Sequence, residues 1–135
     1  MTKTETNLLE SVSILVGVLI GSILAYFYNT IIGIPMIDAS EFEVWNMLIF
    51  IAIPVLTGFV AGMIGKSKAM ENGLISGLST GAINAIISFV LLAIRIAEEP
   101  ISYHEGSFAF SLIVMLFLWG IVGAMGGRLA KEYSI

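Results

Sequence analysis

Four long apolar segments, separated by short polar stretches, set the pattern of the chain. The segments cover about residues 8–32, 44–65, 73–96 and 108–129. Each reaches the length of about 20 residues that an α-helix needs to cross a bilayer. None alternates between apolar and polar positions as a membrane β-strand does. The pattern therefore predicts an all-α integral membrane four-helix bundle, with residues 1–135 forming a single membrane domain.

Composition supports a membrane location. Hydrophobic residues make up 58% of the chain and charged residues 12%, whereas a soluble domain is about half apolar and about a quarter charged. The absence of cysteine rules out disulfides and thiolate metal sites. The net charge of −4 gives no indication of a nucleic-acid partner. From the hydrophobic composition, the expected partner is the lipid bilayer.

Lysine and arginine are unevenly distributed between the two ends of the predicted helices. Arg95 alone falls on one side of the membrane. The other side carries Lys3, Lys66, Lys68, Arg128 and Lys131. Because cytoplasmic loops carry an excess of positive residues, we expect a multi-pass protein of the cell membrane with both termini in the cytoplasm.

Small residues recur at intervals of four within the apolar segments. Residues four apart lie on one face of a helix, and a face of small residues lets two membrane helices approach closely. This spacing predicts a helix-packing role for ten glycines. They are Gly17, Gly21, Gly58, Gly62, Gly73, Gly77, Gly81, Gly120, Gly123 and Gly127.

The small residues also indicate an internal repeat. Ser13, Gly17, Gly21 and Ala25 match residues 73, 77, 81 and 85 at a shift of sixty positions. The helix ends TGFVAGMIGK and WGIVGAMGGR match at a shift of sixty-two. We therefore expect two tandem transmembrane hairpins, hairpin A at about residues 8–65 and hairpin B at about residues 73–129. Two-span units insert in the same direction, so the pseudo-repeat is parallel.

A second stripe, beside the glycines of the third segment, is polar. It consists of Ser76, Thr80, Asn84 and Ser88. One interpretation is a wet path through the membrane, with these residues lining a pore. The other is hydrogen bonding between helices, together with hydroxyls that bond a carbonyl one turn earlier in their own helix.

Reactive groups are scarce in the apolar segments. No ionisable residue lies deep in a span, whereas proton-coupled transporters usually place one there. His104, with Glu98, Glu99 and Glu105, could form a surface metal site, but the spacing fits no defined ligand motif. No catalytic motif is present. We therefore expect no enzymatic activity, no cofactor and no bound metal.

Pro54 lies near the middle of the second segment. A proline has no backbone N–H, so it removes one helical hydrogen bond and frees a carbonyl near Phe50. Such a position can form a hinge or a binding notch, although prolines in membrane helices usually shape packing.

The stretch from Thr57 to Phe89 resembles a group of small archaeal four-helix membrane proteins catalogued as a domain of unknown function. In that group a Gly-Phe-Val-Ala-Gly helix end leads through a short polar loop into a glycine-spaced helix. Here the motif spans residues 58–62, and the spaced glycines are Gly73, Gly77 and Gly81. The resemblance implies a four-helix fold and no particular activity.

Together these features favour a non-enzymatic small integral membrane protein. The glycines of the last segment, including Gly126, point to more than one side and would leave small surfaces for a partner. We expect a homo-oligomer or an accessory subunit of a membrane complex. The alternative is a small pore or transporter, with the polar stripe lining its pathway.

Overall fold

The computed structural model of the chain describes residues 2–33, 44–98 and 105–133. Four long helices account for most of them: α1 (Lys3–Tyr28), α2 (Val44–Ile64), α3 (Ala69–Glu98) and α4 (Glu105–Tyr133). A π-helical turn, Asn29–Gly33, extends α1, and a 3₁₀ turn, Lys66–Lys68, joins α2 to α3. All four helices are long and apolar enough to cross a membrane. The prediction of an all-helical chain with four helices able to span a membrane is confirmed.

The start of α1 differs from the prediction because a polar cap extends the helix. The Thr2 hydroxyl accepts a hydrogen bond from the Glu5 N–H (3.2 Å), and the Glu5 carboxylate accepts one from the Thr2 N–H (3.0 Å). This reciprocal pair is a capping box, which satisfies two N–H groups at a helix start. The apolar pattern marks the part of a helix that fits the hydrocarbon, so it misses a polar first turn.

Two central and two flanking helices form the bundle. The central pair, α2 and α3, pack against each other. Helix α1 packs against both of them, and α4 also packs against both. In the described part of the chain, α1 and α4 make no comparable contact with each other. Helix α4 therefore occupies the groove between α2 and α3, which explains why its glycines point to more than one side.

Glycines lie at the helix contacts. A methyl group added at Gly58 of α2 would overlap the backbone of Gly123 in α4, and one added at Gly73 of α3 would also overlap it. Gly123 is thus the point where α2, α3 and α4 meet. Each of the ten glycines in the predicted packing set lies where an added methyl would meet another helix. Gly126 also does so, against the Val55 carbonyl of α2.

The α1–α2 contact and the α3–α4 contact involve residues at similar spacings. A methyl at Gly17 of α1 would lie 2.9 Å from the Thr57 carbonyl oxygen and 3.1 Å from Ala61 Cβ. A methyl at Gly77 of α3 would overlap the Trp119 carbonyl oxygen and lie 3.1 Å from Gly123 Cα. The shift of sixty relates the two glycines, and the shift of sixty-two relates the two pairs that they face.

The outer surface of the bundle is apolar, and most of the buried residues are small or polar. Leu15 on α1, Ile86 on α3 and Phe117 on α4 are all more than half exposed. Among the described residues, Trp119 is the only fully buried side chain larger than threonine. This distribution suits a protein surrounded by acyl chains, in which burial of leucine between helices gains little.

We expect Gly58→Ala to destabilise the bundle by about 1–3 kcal/mol, the usual range for overpacking, because the new methyl would push into the Gly123 backbone. Gly81→Ala is the matched control, since its methyl would meet Leu116 Cα at 3.2 Å and needs only a small adjustment. Unfolding of the purified protein in mixed micelles, followed by circular dichroism, measures both. Equal stability of the two variants would contradict the close contact at Gly58.

Candidate functional site

A column of buried polar side chains runs along the contact between α1, α2 and α3. Its members are Ser13 and Asn29 from α1 and its π-helical turn, Thr57 from α2, and Asn72, Ser76, Thr80, Asn84 and Ser88 from α3. None is more than 4% exposed. The α3 members recur every four residues, which places them on one face. At 1.5 Å per residue they extend over about 24 Å, most of the hydrocarbon thickness of about 30 Å.

Asn29 is the hydrogen-bonding centre of one half of the column, the half near the end of α1. Its side-chain NH2 group donates one hydrogen to Asn84 Oδ1 (2.7 Å) and the other to the Ala25 carbonyl (2.8 Å). Its Oδ1 accepts a hydrogen bond from the Ser88 hydroxyl (2.8 Å). These bonds join the end of α1 to α3. Hydrocarbon offers no water to replace them, so separating the two helices would leave the polar groups unsatisfied.

In the other half of the column, near the starts of α1 and α3, the polar side chains bond mainly to backbone carbonyls. Asn72 donates to the Gly65 carbonyl (3.2 Å), which closes the turn between α2 and α3. Ser76 donates to the Ile14 carbonyl of α1 (3.4 Å). Ser13 donates to the Glu10 carbonyl of its own helix (2.6 Å). The polar side chains therefore join neighbouring segments or their own turn, and they do not face the outer surface.

Gly21 brings two threonines together in the middle of the column. A methyl at Gly21 would overlap Thr57 Oγ1 and lie 2.8 Å from Thr80 Oγ1. Thr57 donates to the Ile53 carbonyl of its own helix (2.9 Å). Thr80 Oγ1 has no hydrogen-bond partner among the described residues. The absence of a side chain on α1 thus makes room for hydroxyls from both central helices.

The predicted polar stripe forms the α3 side of this column. The sequence of the stripe alone does not show which helix it faces. The structure places all four stripe residues against α1 within one chain. The sequence reasoning missed Asn29, and the shift of sixty could not have found it, because that shift relates Asn29 to Phe89. Asn72 was also missed, and it extends the same four-residue spacing.

The chemistry available in the column is that of neutral amides and hydroxyls. These groups can exchange hydrogen bonds or hold water, but none of them titrates near neutral pH. Among the described residues no group of three His, Cys, Asp or Glu side chains could hold a metal ion. His104 and Glu99, from the surface metal site considered above, lie outside the described residues.

Comparisons with known proteins give no relative. No protein-family model matches the chain, and neither the curated proteins nor the solved structures contain a match. The resemblance to the archaeal four-helix group therefore stays a prediction, and the function is argued from geometry alone.

We expect Asn29→Ala to destabilise the protein by about 1–2 kcal/mol, in the range measured for buried hydrogen bonds. The change leaves Asn84 Oδ1 without its donor and the Ser88 hydroxyl without its acceptor. The matched control is Thr30→Ala, because Thr30 is exposed and its hydroxyl bonds only the Tyr26 carbonyl of its own helix. Unfolding in mixed micelles should separate the two variants, and similar losses would contradict the central position of Asn29.

Proposed function

We propose that the chain is a non-enzymatic integral membrane protein that acts as an accessory subunit of a membrane complex or by self-association. The observation that carries the proposal is the hydrogen bonding of Asn29 with Asn84 and Ser88. These three polar side chains join the end of α1 to α3. They are therefore bonded within the chain and not offered to a substrate, and the α2–α4 and α3–α4 contacts consist of close backbone approaches and a small apolar cluster around Trp119.

The working surface in this proposal is the outer apolar face of the bundle. The glycines of α4 were expected to leave small faces for a partner. In the structure Gly120 faces Leu78 of α3, Gly126 faces α2 and Gly127 faces the start of α3. These faces are occupied within the chain, so contact with another subunit would use exposed side chains such as Leu19 and Ile121.

The proposal includes a tandem origin for the two hairpins. The corresponding contacts of Gly17 and Gly77 support it. Small residues placed at random could share a spacing, but they would not also contact equivalent residues of the next helix. A further pair agrees: a methyl at Gly65 would approach Ser13, and a methyl at Gly73 would approach Gly127 Cα. The shifts of sixty and sixty-two relate these positions too.

We also propose that the protein lies in the cell membrane with both termini on the cytoplasmic side. Lys68 Nζ lies 3.8 Å from the Glu10 carboxylate, and a methyl at Gly127 would overlap the Ala69 carbonyl. The start of α1, the turn before α3 and the end of α4 are therefore at one end of the bundle. That end carries five of the six lysines and arginines, as cytoplasmic ends usually do.

A pore or transporter is the second candidate. It is favoured by the length of the polar column and by the unpartnered hydroxyl of Thr80. A path along the column would require α1 to separate from α3, because the polar side chains fill the contact between them. The two candidates therefore differ in whether water reaches the middle of the column.

We expect cysteines introduced at Thr80 and Asn84 to resist a membrane-impermeant maleimide in proteoliposomes, because both positions are buried in helix contacts. The chain has no native cysteine, so each variant reports one site. Ser67→Cys, in the exposed turn between α2 and α3, is the control and should react in every molecule whose turn faces the outside of the vesicle. Rapid labelling at both column positions would favour the pore.

We expect the protein, when purified from its native membrane into lipid nanodiscs, to have a mass above the 14.5 kDa of one chain. Native mass spectrometry measures this mass and distinguishes multiples of one chain from assembly with other subunits. A single chain in every lipid-containing preparation would contradict the accessory or self-associating role.

A further inference from the structure

Trp119 is a buried donor without a partner. It lies on α4 and is 1% exposed. Its indole Nε1 makes no hydrogen bond to any described residue. A buried tryptophan usually finds a partner for this group, and the middle of a membrane offers no bulk water to replace one. An isolated indole N–H at this depth is unfavourable.

Two other buried groups of the described residues lack a partner, the hydroxyls of Ser22 and Thr80. Each can rotate about its side chain and bond a carbonyl one turn earlier in its own helix. The indole has no such local acceptor, and its ring is held in place. The Trp119 ring packs against the Phe50 ring at a centroid distance of 4.9 Å and an interplanar angle of 51°, and the Trp119 backbone lies against Gly77.

An acceptor without its usual donor lies on the facing helix. Pro54 is fully buried in α2, and it has no N–H to offer to the carbonyl of Phe50. A helical carbonyl points along the axis toward the residue four positions later. The Phe50 carbonyl therefore lies beside Ile53 and Pro54, and Ile53 belongs to the same core cluster as Trp119.

We propose that one ordered water molecule bridges the Trp119 indole N–H and the Phe50 carbonyl. The water accepts from the indole and donates to the carbonyl, so a single molecule satisfies both groups. Buried waters commonly bond otherwise unsatisfied polar groups, and waters also satisfy carbonyls that prolines free in membrane helices. The bridge fastens α2 to α4 at the point where Pro54 weakens α2.

Nuclear magnetic resonance of the full chain in micelles tests the bridge directly. The chain has two tryptophans, so ¹⁵N-tryptophan labelling yields two indole signals, and Trp119→Phe assigns them. We expect a cross-peak between the Trp119 indole proton and water, with opposite signs in laboratory-frame and rotating-frame spectra. That sign change identifies a bound water and distinguishes it from proton exchange. Trp45→Phe supplies the assignment if the other variant does not fold.

Pro54→Ala then tests the acceptor. An alanine N–H would bond the Phe50 carbonyl within α2, so the water loses that partner and the cross-peak should disappear. Pro54→Val restores the same N–H and serves if the alanine variant misfolds. Absence of the cross-peak in the wild-type protein would overturn the proposal. A cross-peak of undiminished intensity after Pro54 is replaced would also overturn it, because the carbonyl would then not hold the water.

Discussion

Contact between helix backbones at glycine is the interaction on which the bundle depends. In water a glycine within a helix costs about 1 kcal/mol relative to alanine. In hydrocarbon, burying larger apolar side chains between helices gains little, so close packing decides association. Gly123 illustrates the consequence, since the backbones of α2 and α3 both reach it. A single methyl at that position would push against the α3 backbone at Gly73 and Gly77.

The polar column follows from the same close approach. Short side chains such as serine and asparagine span only a few ångströms, so they bond across a contact only where the backbones are near. Gly17 and Gly21 bring α1 close enough for Ser76 and Thr80 to lie against it. The two flanking helices are therefore held differently. Helix α4 is held mainly by backbone contact, and α1 is held by backbone contact together with the bonds of Asn29.

This division bears on function. A bundle whose glycines and polar groups are both engaged within one chain keeps an apolar exterior for lipid or for another membrane subunit. Among the described residues, the unpaired buried groups are neutral hydroxyls and one indole N–H, and they suit water better than an ion or a reacting substrate. The Trp119–Phe50 contact is the place where that interior polarity extends beyond the column into the α2–α4 interface.

The number of spans, their approximate limits and the helix faces with small and polar residues could all be predicted from the amino-acid sequence. Hydropathy and a four-residue spacing carry that information, because both are local along a helix. The fold was needed to show that the polar stripe faces α1, that Asn29 bonds to two of its members and that α4 uses its glycines against two neighbours. Those outcomes depend on how the helices are rotated and which of them become neighbours. Such choices arise from the joint packing of four surfaces, and no single segment encodes them.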